Sequence, residues 1–357
     1  MHKFTRRSFL VAGGATAALA AAQIRRPYLG HAQTSSINLY SSRHYNTDDA
    51  LYTGFTDKTG IGVNLIEGNA DELLERILNE GANSPADIFM TVDAGRLWRA
   101  VQEEVFAPVR SSALERDIPA NLRDPDGLWF GFSKRARILI YNKDRVNPAD
   151  LSTYENLADP RWQGHILIRS SSNIYNQSLI AGMIETNGAA ATEAWARGLV
   201  ANFARPPEGN DTAQIMAAAA ADPRGGAGGD IAIANSYYLV RMGKSDDPAT
   251  REAFSKLGAF FPNQNGRGTH VNISGAGLLK NAPNRQGAIA FLEYLATSDA
   301  QKFFAEGNNE YPVVAGTELD PVLKSLGEDF KEDEVNVEAY GRNAEQALQI
   351  MDRAGWQ

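Results

Sequence analysis

Between residues 36 and 102 the chain alternates three times between a short apolar run and an amphipathic one, and this restricts the possible folds more than any other feature. Residues 36–42 alternate apolar and polar and then turn polar, as a strand entering a loop does. A helix is expected from about Thr47, Asp48 and Asp49, with Leu51, Tyr52 and Phe55 turned to the core. Residues 60–66 form the next strand, and Asp71 is expected to cap the amphipathic helix that follows over residues 72–78. Residues 85–90 make a third strand, and residues 94–99 open a third helix. Strand–helix alternation of this kind predicts a mostly parallel α/β sheet. Ligands of such sheets bind beyond the C-terminal ends of the strands, where the loops 43–48 and 91–94 lie.

Further strands are expected at 136–143 and 166–168, with helices at 176–186, 189–199 and 211–221. A Gly-rich turn holding Gly225, Gly226, Gly228 and Gly229 leads into the apolar run 230–234. That run reads as a buried strand, with Ser236 as N-cap of the next helix. Residues 268–279 read as a strand relieved by glycine, residues 286–297 and 300–306 as helical, and about 337–353 as the last helix. Two strands with adjoining bends, near 133–141 and 269–278, fit connections between two lobes that close on a ligand by hinge bending.

Composition narrows the chemistry. The 357 residues include no cysteine, which excludes disulfide frameworks, zinc–cysteine sites, iron–sulfur clusters and thiol nucleophiles. The formal charge is −8, and residues 1–32 hold five cations (Lys3, Arg6, Arg7, Arg25, Arg26) and no acid. Without them the remainder carries −13, a poor general nucleic-acid binder and a suitable host for a cation. Arg6-Arg7 followed by a small-residue apolar run from Val11 to Ala22 predicts a twin-arginine export signal, cleaved after Ala32 or earlier near Ala22. The run is too short and too weakly apolar for a span of about 20 residues. The mature protein is therefore expected outside the cytoplasm, in the periplasm, without stable membrane insertion.

Three segments place tyrosine in a loop after a strand: His44-Tyr45, Asn173-Ile174-Tyr175-Asn176 and Ser236-Tyr237-Tyr238. A Tyr-Tyr pair alone is more often one core and one surface residue. Taken with Ala86-Asp87-Ile88 and Ile273-Ser274-Gly275-Ala276, in this order and rough spacing, the segments resemble the ferric-ion-binding periplasmic proteins of ABC transporters, FutA-type, over nearly the whole mature chain. The resemblance implies a type II periplasmic-binding-protein fold: two α/β lobes, two crossover strands and a hinged cleft. It divides the chain into a signal (1–32), the first part of the N-lobe (33–135), the C-lobe (136–270), a return to the N-lobe (271–312) and a C-terminal segment packed mainly on the C-lobe (313–357).

It also implies a site of phenolates in the cleft, Tyr45 from the first lobe and Tyr175, Tyr237 and Tyr238 from the second. His44 is a candidate fifth ligand, used by some relatives and left out by others. Arg135 is expected beside the metal as a compensating charge. Such a protein captures Fe(III), delivers it to an ABC permease, acts as a monomer and catalyses nothing. The chemistry agrees: Fe(III) is small, highly charged and prefers anionic oxygen. Four phenolates around it sum to −1, which a guanidinium offsets, so charge alone does not require the extra anion that several relatives use; the sequence does not decide between a site with an anion such as carbonate and one without. Fe(II) is expected to bind more weakly. The same fold serves many ligands, so a small organic or phosphorylated solute is the alternative cargo. A secreted tyrosine-ligated metalloenzyme is a rival from another class, and an iron chaperone acting without a transporter is a third. His165, His270, Glu67 and Asp71 read as structural or surface residues, and no nucleophile elbow, phosphate loop or dinucleotide fingerprint is present.

Overall fold

The computed structural model describes residues 36–43, 45, 47–220 and 229–357. The export signal, His44 and the glycines at 225, 226 and 228 lie outside the described residues. The strands are β1 (Ser36–Ser41), β2 (Gly62–Glu67), β3 (Ile88–Val92), β4 (Phe130–Asn142), β5 (Ile166–Leu167), β6 (Ile231–Asn235), β7 (Leu257–Phe260), β8 (Val271–Leu278) and β9 (Tyr311–Pro312). They pair in the order β2-β1-β3-β8-β4-β6-β5, with β7 and β9 also on β4.

The sheet is mixed rather than mostly parallel. β1 runs parallel to β2 and β3, placing Leu39 opposite Leu65 and Ile88. β8 enters antiparallel to both β3 and β4, and β6, β7 and β9 are antiparallel to β4. The parallel expectation holds where strands and helices alternate. Beyond residue 102 the helices between β5 and β6 again go with a parallel pair, whereas β4, β7, β8 and β9 pair antiparallel with their neighbours.

β4 is the element that joins the two ends of the sheet. Its first half pairs with β8 and its second half with β6 and β7. All of it is buried except Lys134 and Tyr141, and two of the buried side chains are arginines, Arg135 and Arg137. β8 is buried throughout, and its glycines permit close strand contact: a Cβ on Gly275 would stand 2.7 Å from the Phe130 carbonyl oxygen.

Helix ends correct three expectations. The helix Ala70–Glu80 is capped by Asn69, which accepts the Asp71 N–H at 2.9 Å. Asp71 lies in the first turn and pairs with Arg99, and Asn caps as well as Asp does. The helix Ser236–Gly243 begins at Ser236, whose Oγ has no partner; Asn235 holds the cap position, but its side chain accepts from Arg137 instead. The last helix is two, Glu338–Arg342 and Ala344–Ala354, interrupted at Asn343, whose amide donates to the Ala181 carbonyl and Glu185. The helix Glu338–Arg342 packs against both Ala94–Gln102 and Ile174–Asn187. A Cβ on Gly341 would collide with Trp98, so glycine sets that approach.

His270 is buried, with its ring 4.6 Å from that of Tyr340. Burial, then Arg137 and Arg267, push its imidazole down to about 3. An unfolded histidine takes up a proton near 6.5, so the folded state resists protonation between those values. Stability is unaffected above pH 6.5 and falls as pH drops toward 3, by up to about 1.4 kcal/mol per unit. Thermal melts across pH 4–7 are expected to show that slope, and His270→Gln to flatten it.

Candidate metal centre

Tyr45 lies in the loop after β1, and its hydroxyl donates to Glu310 Oε1 at 2.9 Å. The Arg43 guanidinium stands 4.7 Å from the Tyr45 ring centroid and that of Arg241 5.3 Å. Tyr175 is the second residue of the helix Ile174–Asn187, whose cap, Asn173, accepts the Tyr175 N–H at 3.2 Å. Arg135 stands 5.8 Å from the Tyr175 ring. Tyr237 and Tyr238 open the helix Ser236–Gly243 directly after β6, their ring centroids 4.2 Å apart. Tyr237 is buried, and Arg241, one turn on, lies 5.3 Å from its ring.

These side chains act on one another. Burial pushes the Tyr237 phenol up, and Tyr175, Tyr45 and Tyr238 add to the shift while Arg135 opposes it. Burial likewise raises Tyr45, with Glu310 reinforcing it and Arg135 and Arg43 pulling the other way. Tyr238 is raised by burial, then by Asp211 and Tyr175. Arg241 thus lies against both Tyr45 and Tyr237, the Tyr237 ring against that of Tyr238, and Arg135 against Tyr175, the tyrosines being supplied by three distant segments. Burial opposes the Arg135 charge, but Glu310 and then Tyr175, Tyr45 and Tyr237 hold its guanidinium above the usual range.

Glu310 is a residue that sequence reasoning missed. It is fully buried and accepts from Tyr45, from Ser133 Oγ at 2.5 Å, from Arg43 at 3.3 Å and from Arg135 at 3.4 Å. Burial alone would raise its carboxyl, but Arg43 and Arg135, then the Ser133 and Tyr45 hydrogen bonds, hold it below the ordinary range. Its local sequence, Asn308-Asn309-Glu310-Tyr311-Pro312, signals only a turn. The available clue was indirect: an arginine inside an apolar strand needs an acid from elsewhere. Glu310→Gln leaves Arg135 without its carboxylate in a dry site. The expected result is a loss of about 3–5 kcal/mol, read by denaturant unfolding of the metal-free protein.

Glu67 is exposed at the end of β2, Asp71 pairs with Arg99, and His165 pairs with Asp230 at 2.7 Å. Among the described residues no group of three His, Cys, Asp or Glu side chains is placed to hold a metal ion.

Residues 83–330 match the bacterial extracellular solute-binding protein family, and the chain belongs to it. The FutA-type resemblance is borne out by its relatives. The chain is 59% identical to iron uptake protein A2 of Synechocystis, over 99% of each chain. It superposes on a Trichodesmium FutA (IdiA) structure in complex with iron and citrate ligands, with TM-score 0.86, 63% identity and coverage of 90% of this chain and 100% of that one. A ferric binding protein from Campylobacter jejuni follows at TM-score 0.81 and 38% identity, with 90% and 100% covered. These are α/β binding-protein structures, and the mixed sheet described above is of that fold. No helix among the described residues is long and apolar enough to cross a membrane.

Proposed function

We propose that this protein captures Fe(III) between two lobes through the phenolates of Tyr45, Tyr175, Tyr237 and Tyr238 and delivers it to an ABC permease. The lobes are 33–135 with 271–312, and 136–270 with the C-terminal segment 313–357; β4 and β8 cross between them. It works as a monomeric periplasmic carrier, exported by the twin-arginine route, and not as an enzyme. The observation that carries this reading is the setting of four tyrosines from three segments against buried and neighbouring arginines: Arg241 beside both Tyr45 and Tyr237, Tyr238 beside Tyr237, and Arg135 beside Tyr175. The iron-linked relatives support the choice of cargo.

The charges support ferric iron. Arg43, Arg135 and Arg241 lie against the phenols, with Glu310 the counter-charge of Arg43 and Arg135. Four phenolates and Fe(III) together add one negative charge, which these guanidinium groups offset. Fe(II) leaves the site more negative and binds more weakly. His44, beside Tyr45, is the candidate fifth ligand. Titration with a ferric chelate tests the reading: an orange-red phenolate-to-iron band is expected at one equivalent. A wild-type protein that stays colourless and takes up no iron would sink it.

A further inference from the structure

The second buried arginine of β4 is Arg137. Arg137 is only 1% exposed, and its guanidinium makes three side-chain hydrogen bonds. Nη1 donates to Asp211 Oδ1 at 2.8 Å and to Asn235 Oδ1 at 3.2 Å, and Nη2 donates to Asn176 Oδ1 at 2.5 Å. Asn176 directly follows Tyr175, and Asn235 stands two residues before Tyr237. Asp211, fully buried, also accepts from Arg169 at 2.7 Å. Asn176 turns its amide to the carbonyls of Arg169 and Ser170, in the loop that leads to Tyr175.

As a source of stability this is a poor arrangement. A buried Arg–Asp–Arg group loses much of its Coulomb gain to desolvation, and well-packed apolar side chains often do as well or better. One donor, Arg137 Nε, has no hydrogen-bond partner among the described residues. What the group does offer is geometry. A guanidinium is a rigid planar fork, and its two ends fix the distance between whatever they hold. Here they hold the residue after one candidate ligand and the segment that carries two others.

We propose that Arg137 is the positioning residue of the second-lobe phenols, tying Asn176 to Asn235 and Asp211 so that Tyr175 and the Tyr237–Tyr238 pair are spaced for the metal before it arrives. This rests on the ferric reading of the site. Lysine cannot reproduce the fork, because it presents a point charge on a flexible stem. Outer partners of metal ligands typically contribute 10- to 100-fold in affinity.

The test uses the mature protein, ferric nitrilotriacetate as probe, and three variants: Arg137→Lys, Asn176→Ala and Asn235→Ala. Each is expected to lower ferric affinity about 10- to 100-fold and to shift the maximum of the charge-transfer band, since phenolate–metal geometry changes. Asn176→Ala keeps every charge and the Arg137–Asp211 pair, so it decides the matter if Arg137→Lys fails to fold. Arg137→Lys combined with Asn176→Ala is expected to cost less than the two losses added, as they break one tie. Wild-type affinity and band in Asn176→Ala and Asn235→Ala overturn the proposal. So does a loss of affinity with an unshifted band, which general destabilisation would give. A wild-type protein that binds no ferric ion overturns the reading of the site instead.

Discussion

Tyr237→Phe combined with Tyr238→Phe is expected to remove the ferric charge-transfer band and to drop iron uptake below detection in competition with nitrilotriacetate. Phenylalanine keeps the ring and deletes only the oxygen, so the change acts on donor chemistry before packing. The two rings lie 4.2 Å apart, tilted by 31°, at the start of the helix that follows β6. The metal-free variant should therefore melt within a few degrees of wild type. Fe(III) would be left with two of four anionic oxygens, in a pocket whose arginines then repel it. Tyr141→Phe is the control: that ring lies on β4 against Gly258, away from the centre, and its loss should leave the band unchanged. Retention of full colour by the double variant would remove these phenols from the coordination shell.

The four tyrosines were visible as candidates in the sequence because each follows a strand that can be read locally; β1 runs opposite to β5 and β6, so the ends of these strands face one another along β4 rather than pointing to one side. Their environment was not visible. Arg43 and Glu310 are 267 positions apart, and Tyr45 and Glu310 are 265 apart, so no window of sequence contains both. The same holds for Arg137 and Asp211, joined across 74 positions. Periodicity reports which side chains are apolar, and it is silent on which acid answers a buried arginine. The strand directions were half legible: β1, β2 and β3 follow from alternation with helices, whereas β8 and β9 reach the sheet by chain return. Caps were misread by a residue where Asn and Asp or Ser compete, because the winner depends on a tertiary bond, as Asn235 shows with Arg137.

Iron affinity should depend steeply on pH, and the sign follows from the phenols. Burial holds Tyr45, Tyr237 and Tyr238 above the ordinary phenol range, so each carries its proton in the metal-free protein near neutrality. Coordination as phenolate expels those protons. Loading should release about three protons or more per iron, counted with a weakly buffered indicator and corrected for the chelator. Each displaced proton costs about tenfold in apparent affinity per unit of acidification, so one unit should weaken binding about a thousandfold or more. The Arg135 and Arg43 charges oppose the upward shifts and lie where phenolate charge would develop, which lets the metal win at neutral pH. Arg135→Met should therefore displace the whole binding curve toward higher pH while leaving its slope, since the proton count is set by the tyrosines and not by the arginine. A flat curve, or a release near zero, would mean that the metal is held by groups already ionised, and the phenols would have to be given up as ligands.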